Sequence, residues 1–313
     1  MRYSPRQLLN MHYGGIMEND KKAFLYALSA VLLWSTVATA FKITLNYLSP
    51  LQMVTAASAV SCLVLTLVAF IQGKQAQLLL ELRRMPLYYL LIGVLNPTVY
   101  YLVLFEAYSL LPASEAQPLN YTWAIALTFM AAVLLKQKIR KRDWFASALG
   151  YLGVLVIATR GDIIGLSFSN LEGVLWALLS TFLWALYWII NTKRNADSVV
   201  QLVLAFGLSL PFLWVASVWF DDWSGIPWQG WVAVSYVGLF EMGITFLLWM
   251  SAMKTATNTS LISNLIFLSP FISLILLNQI IGETIHMSTI AGLVLIITGL
   301  VFQRIRIKKK SLG

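Results

Sequence analysis

Residues 93–114, GVLNPTVYYLVLFEAYSLLPAS, and residues 238–259, GLFEMGITFLLWMSAMKTATNT, are two versions of one pattern. A gapless shift of 145 residues sets Gly93 on Gly238, Val99 on Ile244, Tyr101 on Phe246, Leu102 on Leu247, Ala107 on Ala252 and Ser114 on Thr259. A shift of 150 sets Ala27-Leu28 on Ala177-Leu178 and Leu33-Trp34 on Leu183-Trp184. The near-constant offset makes the chain an internal duplication, and such repeats decide the architecture.

The composition supports that reading. Of 313 residues, 59% are hydrophobic and 11% charged, against roughly a quarter charged in soluble domains. So few charges cannot cover a water-facing surface, so lipid is expected to be the solvent for most of the exterior. The single cysteine, Cys62, gives neither a disulfide framework nor a cysteine zinc site. His12 and His286, the two histidines, stand at opposite ends of the chain, which disfavours a metal centre or a catalytic triad. There is no phosphate-loop motif, so neither ATP coupling nor any other cofactor is expected. No cleavable signal is read at the N-terminus, and residues 1–16, ahead of Met17, read as a tail or an upstream start.

A membrane helix needs about 20 mostly apolar residues. Ten windows qualify, at about 23–42, 51–71, 86–108, 112–135, 144–160, 170–191, 199–220, 228–253, 257–280 and 287–303. The predicted fold is an all-α membrane protein of ten transmembrane helices, arranged as two inverted five-helix repeats around a central cavity. Residues 1–22 form a tail, 23–160 the first repeat, 170–303 the second repeat and 304–313 a basic tail. Five spans per repeat is an odd number, so the second repeat enters the membrane from the opposite side.

Lys and Arg in short loops stay on the cytoplasmic side. With the N-terminus inside, 20 of the 22 basic residues fall inside, and only Lys42 and Arg160, at span ends, fall outside. The expected localisation is therefore the cell inner membrane, multi-pass, with both termini cytoplasmic. The basic C-terminal tail follows from topology and faces anionic membrane lipid; no nucleic-acid partner is expected. A small-molecule substrate is the expected partner, and both a monomer and a homodimer fit.

The string LLWSTVATAFK at 32–42, the Ala-x4-Pro-Ala-Ser-x-Ala pattern at 107–116 and Gly282-Glu283 before the last span together resemble the EamA type of the drug/metabolite transporter superfamily. The resemblance covers about residues 23–303. It implies a basket of ten helices whose central cavity is lined by spans one, three, four, six, eight and nine, and an export activity toward amino acids and related metabolites, some members favouring aromatic ones. The second repeat keeps the tryptophan at Trp184 but has no lysine matching Lys42.

Ionisable residues within spans are costly and mark function. Glu241 lies mid-span, too far from either end to snorkel, and its repeat mate is Asn96, followed by Pro97 and Tyr100. Helical spacing adds Thr245 and Trp249 to the Glu241 face. Span four offers Gln117, Asn120, Tyr121 and Thr128, and span nine Ser260, Asn264 and Phe267, each with a proline, Pro118 or Pro270. Trp34, Trp184, Tyr187 and Trp188 occupy the middle of spans one and six, where their rings suit a planar substrate. The candidate substrate-binding set is Trp34, Asn96, Tyr100, Gln117, Asn120, Tyr121, Trp184, Tyr187, Glu241, Thr245 and Asn264. Structural readings stand beside it: Glu241 as a hydrogen-bonded core acid, the prolines as packing kinks and the tryptophans as an interfacial belt.

The leading function is secondary transport exporting amino acids or related small metabolites. The alternatives are efflux of lipophilic cations or drugs, with Glu241 as counter-charge, and, from other classes, a membrane-embedded enzyme or a non-transporting scaffold.

The topology is tested by reporter fusions after residue 313 and in the 221–227 loop. A cytoplasmic signal from the first and a periplasmic signal from the second are expected, and a periplasmic signal at residue 313 would overturn the orientation.

Overall fold

The computed structural model describes residues 5–192, 197–257, 262 and 264–304. Lys193-Arg194, Ser260 and the basic residues of the tail beyond Arg304 lie outside them. Every regular element among the described residues is helical, as hydrocarbon demands of a chain that must satisfy its backbone groups internally.

The helices are α1 (Pro5–Leu45), α2 (Pro50–Ile71), α3 (Gln75–Arg84), α4 (Pro86–Gly93), α5 (Tyr100–Leu110), α6 (Ala113–Asn120), α7 (Trp123–Leu134), α8 (Lys141–Ala158), α9 (Leu171–Thr192), α10 (Ser198–Phe220), α11 (Trp228–Phe240), α12 (Ile244–Thr255), α13 (Ser269–Ile281) and α14 (Met287–Arg304). A π turn, Val94–Val99, joins α4 to α5, and a 3₁₀ turn, Asn264–Leu268, precedes α13. Boundaries follow local chemistry. Ser49 and Gln52 exchange hydrogen bonds of 3.1 and 2.9 Å in a capping box, with Pro50 at the first helical position of α2. Asp197 caps α10 by accepting from the amides of Val199 and Val200.

Seven of these segments are long and apolar enough to cross a membrane: Asn19–Leu45, Pro50–Ile71, Pro86–Leu110, Leu171–Asn191, Ser198–Phe220, Trp228–Thr255 and Asn264–Ile281. They correspond to predicted spans one, two, three, six, seven, eight and nine. The other three predicted spans are helical but do not meet that measure. Span four is divided at Tyr121-Thr122 into α6 and α7. Span five is α8, which opens on Lys141, Arg142 and Asp143. Span ten is the shorter apolar helix Met287–Gln303. α1 also begins well before the predicted span, so the tail runs into span one as one helix.

The packing is a two-fold pattern that crosses between repeats. α1 lies against α11, α12 and α13, while its mate α9 lies against α5, α6 and α7. α2 packs on α10, and α8 on α14. Buried, half-buried and exposed positions follow the same order along residues 27–37 as along 177–187. Repeat mates therefore present the same face to equivalent surroundings. The two repeats are also tied by an ion pair at the predicted inner end, where Lys74 lies 2.7 Å from Asp197. Burial alone would raise the Asp197 carboxyl, but Lys74 and the two capped amides hold it below its ordinary value.

The aligned glycines mark two close crossings. A Cβ on Gly93 would collide with the carbonyl oxygen of Ala205 in α10, and one on Gly238 would sit 2.6 Å from the carbonyl oxygen of Ala57 in α2. Helices in lipid gain association energy from such close backbone approach. Gly93→Val and Gly238→Val are therefore expected to cost on the order of 1–3 kcal/mol each through overpacking. Melting of the purified variants checks this, and a Val variant as stable as the parent at either position would contradict the assigned crossing.

Candidate functional site

The four spans predicted to carry polar residues are those in which the helix is interrupted. In span three, α4 gives way to the π turn, where Asn96 is extended at φ −148° and ψ 115° and its bond to Pro97 is cis. Pro97 has no amide to donate, so carbonyls of the preceding turn lose a helical partner. In span eight, α11 ends at Phe240, Glu241 occupies the C-cap, and Gly243 at φ −120° and ψ −95° separates it from α12. Asn96 and Glu241, repeat mates by sequence, thus stand at equivalent breaks. Span four breaks after Pro118, and span nine passes through its 3₁₀ turn just before Pro270. Discontinuous helices at matching places in inverted repeats are where transporters expose backbone groups to a substrate path.

Around the breaks, six side chains form a closed circuit. The Trp34 ring meets Phe246 edge-on at 5.7 Å, Phe246 lies 6.1 Å from Trp184, Trp184 stacks on Tyr100 at 4.7 Å and 30°, and Tyr100 meets Tyr101 at 4.8 Å. The Tyr101 hydroxyl donates to Glu241 Oε1 at 3.2 Å, and the Trp34 indole hydrogen-bonds the same carboxyl, which closes the ring. The six residues come from spans one, three, six and eight, three from each repeat. Trp249 extends the circuit from Trp34 at 5.5 Å, and Tyr187 extends it from Trp184 at 5.4 Å and 25°.

The remaining predicted residues fall at different distances from it. Asn96 is buried, bonds Tyr187, and leaves its Oδ1 without a partner. Asn120 donates to Ser180 Oγ at 2.8 Å and bonds Tyr100. Tyr121 is the C-cap of α6, at the break in span four. Gln117 and Thr245 are buried with Oε1 and Oγ1 unpartnered. Asn264 opens the 3₁₀ turn and is exposed. Glu115 lies outside the circuit: it is buried against Arg160 at 2.9 Å and accepts from Ser169 at 2.6 Å.

Tyr101 and Phe246 were legible as aligned aromatics in the repeat, yet only the ring contacts give them a place at the site. Their signal was aromatic character retained at one position in both halves.

Chemically, the circuit offers flat aromatic faces beside one carboxylate. Among the described residues no ion pair reaches Glu241, and its neighbours are the two donors Tyr101 and Trp34. A carboxylate so placed favours a proton or an ammonium group, and the rings favour planar or cationic groups. No group of three metal-ligating side chains occurs among the described residues.

Comparison with known proteins agrees with this architecture. The chain is 25% identical over 274 residues to the uncharacterized transporter YvbV of Bacillus subtilis, covering 86% of this chain and 87% of that one. It is 25% identical over 257 residues to the aromatic amino acid exporter YddG of Ancylobacter novellus, covering 82% and 87%. A solved structure superposes with a TM-score of 0.65 at 21% identity over 91% of this chain and 96% of that one, which supports the fold. The model of the EamA-like transporter family matches twice, over residues 21–159 and 171–304. The two matches begin 150 residues apart, at the offset that aligns Trp34 with Trp184 and gives both helices one burial pattern, and the chain belongs to the EamA-like transporter family.

Proposed function

We propose that this membrane transporter exports amino acids or related small metabolites across the cytoplasmic membrane by alternating access, with both termini on the cytoplasmic side and ten spans in all. The observation that carries the proposal is the circuit of Trp34, Tyr100, Tyr101, Trp184, Glu241 and Phe246, assembled from both inverted repeats at their helix breaks. In this reading Glu241 receives the substrate's ammonium group or a proton. The stacked faces of Trp184 and Tyr100 receive its side chain. An apolar or aromatic side chain suits those rings, and one similar protein carries the name of an aromatic amino acid exporter. Efflux of lipophilic cations is a second reading, favoured by the lack, among the described residues, of a cationic partner at Glu241. The family match and the similar transporters support transport over a membrane-embedded enzyme.

Substrate specificity is tested by uptake into reconstituted vesicles across amino acids, nucleobases and cationic dyes, with and without a proton gradient. The role of the carboxylate is tested by Glu241→Gln. The amide is nearly isosteric and still accepts from Tyr101, so the fold should persist. Transport, or its dependence on pH, should fall by about 10²-fold, the scale on which a charged binding partner acts. Rates and pH dependence unchanged from wild type, at equal expression and melting temperature, would reduce Glu241 to a structural acceptor.

A further inference from the structure

The three soft motifs of the sequence, ending at Lys42, spanning 107–116 and formed by Gly282-Glu283, meet at one joint. The joint is the short turn Leu111-Pro112 between α5 and α6, at the end of the bundle predicted to face outward. Lys42 Nζ donates to the carbonyl oxygens of Tyr108 at 2.8 Å and Leu111 at 3.0 Å. Glu283 Oε2 accepts from the Ala113 amide at 3.1 Å, and Oε1 from the Ser114 amide at 2.8 Å. Gly282, at a left-handed φ of 67°, ends α13 and allows the turn that presents Glu283. Asn278 steadies that turn by donating to the Glu283 carbonyl at 3.2 Å.

A cation therefore holds the carbonyl end of α5 and an anion the amide end of α6, each matched to the partial charge of its helix terminus. The Glu283 carboxylate also acts electrostatically on the Lys42 ammonium. Helix ends are ordinarily capped by a residue next to them. Here the capping charges come from 66 and 170 residues away, and Glu283 belongs to the other repeat. Such a cap exists only while the repeats are together at this end.

The hairpin it holds carries Tyr100, Tyr101, Asn120 and Tyr121, one wall of the site. Lys42 lies two turns beyond Trp34 on α1, about 12 Å along the axis. The inverted counterpart is the joint after α12, where Asp20 accepts from the Thr257 amide at 2.9 Å and from its hydroxyl at 2.6 Å. Those bonds are exposed, whereas the four at the Lys42 joint are partly buried.

We propose that Lys42 and Glu283 are the latch of the outer gate: positioning residues that hold the α5–α6 hairpin against the second repeat in the outward-closed state and let go when that side opens. The proposal rests on the transporter reading for its purpose, but its test needs no substrate. In a Cys62→Ala background with Thr245→Cys as reporter, a membrane-impermeant methanethiosulfonate is added to right-side-out and to inside-out vesicles. Loss of one charged partner should shift the opening equilibrium about ten-fold. Lys42→Met and Glu283→Gln should each raise labelling from the outer side by that factor and lower it from the inner side. The double variant should do no more than the stronger single one, and Lys42→Arg should restore the parent rate. If the Met variant does not fold, Glu283→Asp, which keeps the charge and loses reach, carries the same test. Unchanged labelling in folded variants overturns the latch in favour of a static cap, and an equal rise from both sides overturns it in favour of general loosening. Failure of the transport panel with side-specific labelling intact would count against the proposed substrate alone.

Discussion

In hydrocarbon a backbone amide or carbonyl without a partner costs several kcal/mol, and no water is present to satisfy it. That constraint orders this molecule. It makes every regular element among the described residues a helix, and it makes each interruption of a helix a place that has to be enclosed by protein or wetted. The interruptions at Asn96, Tyr121-Thr122, Glu241 to Gly243 and the Asn264–Leu268 turn fall in the four spans that carry the polar candidates. Breaks scattered at random would have needed four separate remedies. Here they lie in the two hairpins that the inverted repeat relates, and the side chains at two of them, Asn96 and Glu241, are polar.

The same constraint explains the crossed packing. Each repeat leaves its first span on the other repeat's hairpin, α1 on α11 to α13 and α9 on α5 to α7. Neither repeat thus assembles the aromatic circuit alone: Trp34 and Tyr100 come from the first, Trp184 and Phe246 from the second. Close approach is bought with glycine where backbones meet, as at Gly93 on Ala205 and Gly238 on Ala57. These are two copies of one crossing, one in each repeat.

Charge is used sparingly and at ends. Asp197 with Lys74, Glu115 with Arg160, and Lys42 and Glu283 on helix termini all sit where spans meet water or one another's ends. Glu241 stands apart from these because it lies at a mid-span break and, among the described residues, its partners are a tyrosine and a tryptophan.

The sequence by itself determined the helical class, the duplication and the pairing of positions 96 and 241 as repeat mates. Those properties are written in composition, in apolar run length and in a constant offset, none of which depends on what touches what. Only the tertiary structure decided that spans three and eight break at those two residues rather than run through them. It also decided that Tyr101 bonds Glu241, that Phe246 lies between Trp34 and Trp184, that Asn264 stands exposed, and that Lys42 caps a helix. Periodicity assumes an unbroken helix, and once Pro97 and Gly243 interrupt it, the face a residue occupies is set by the partner helix from the other repeat, more than a hundred residues away in sequence.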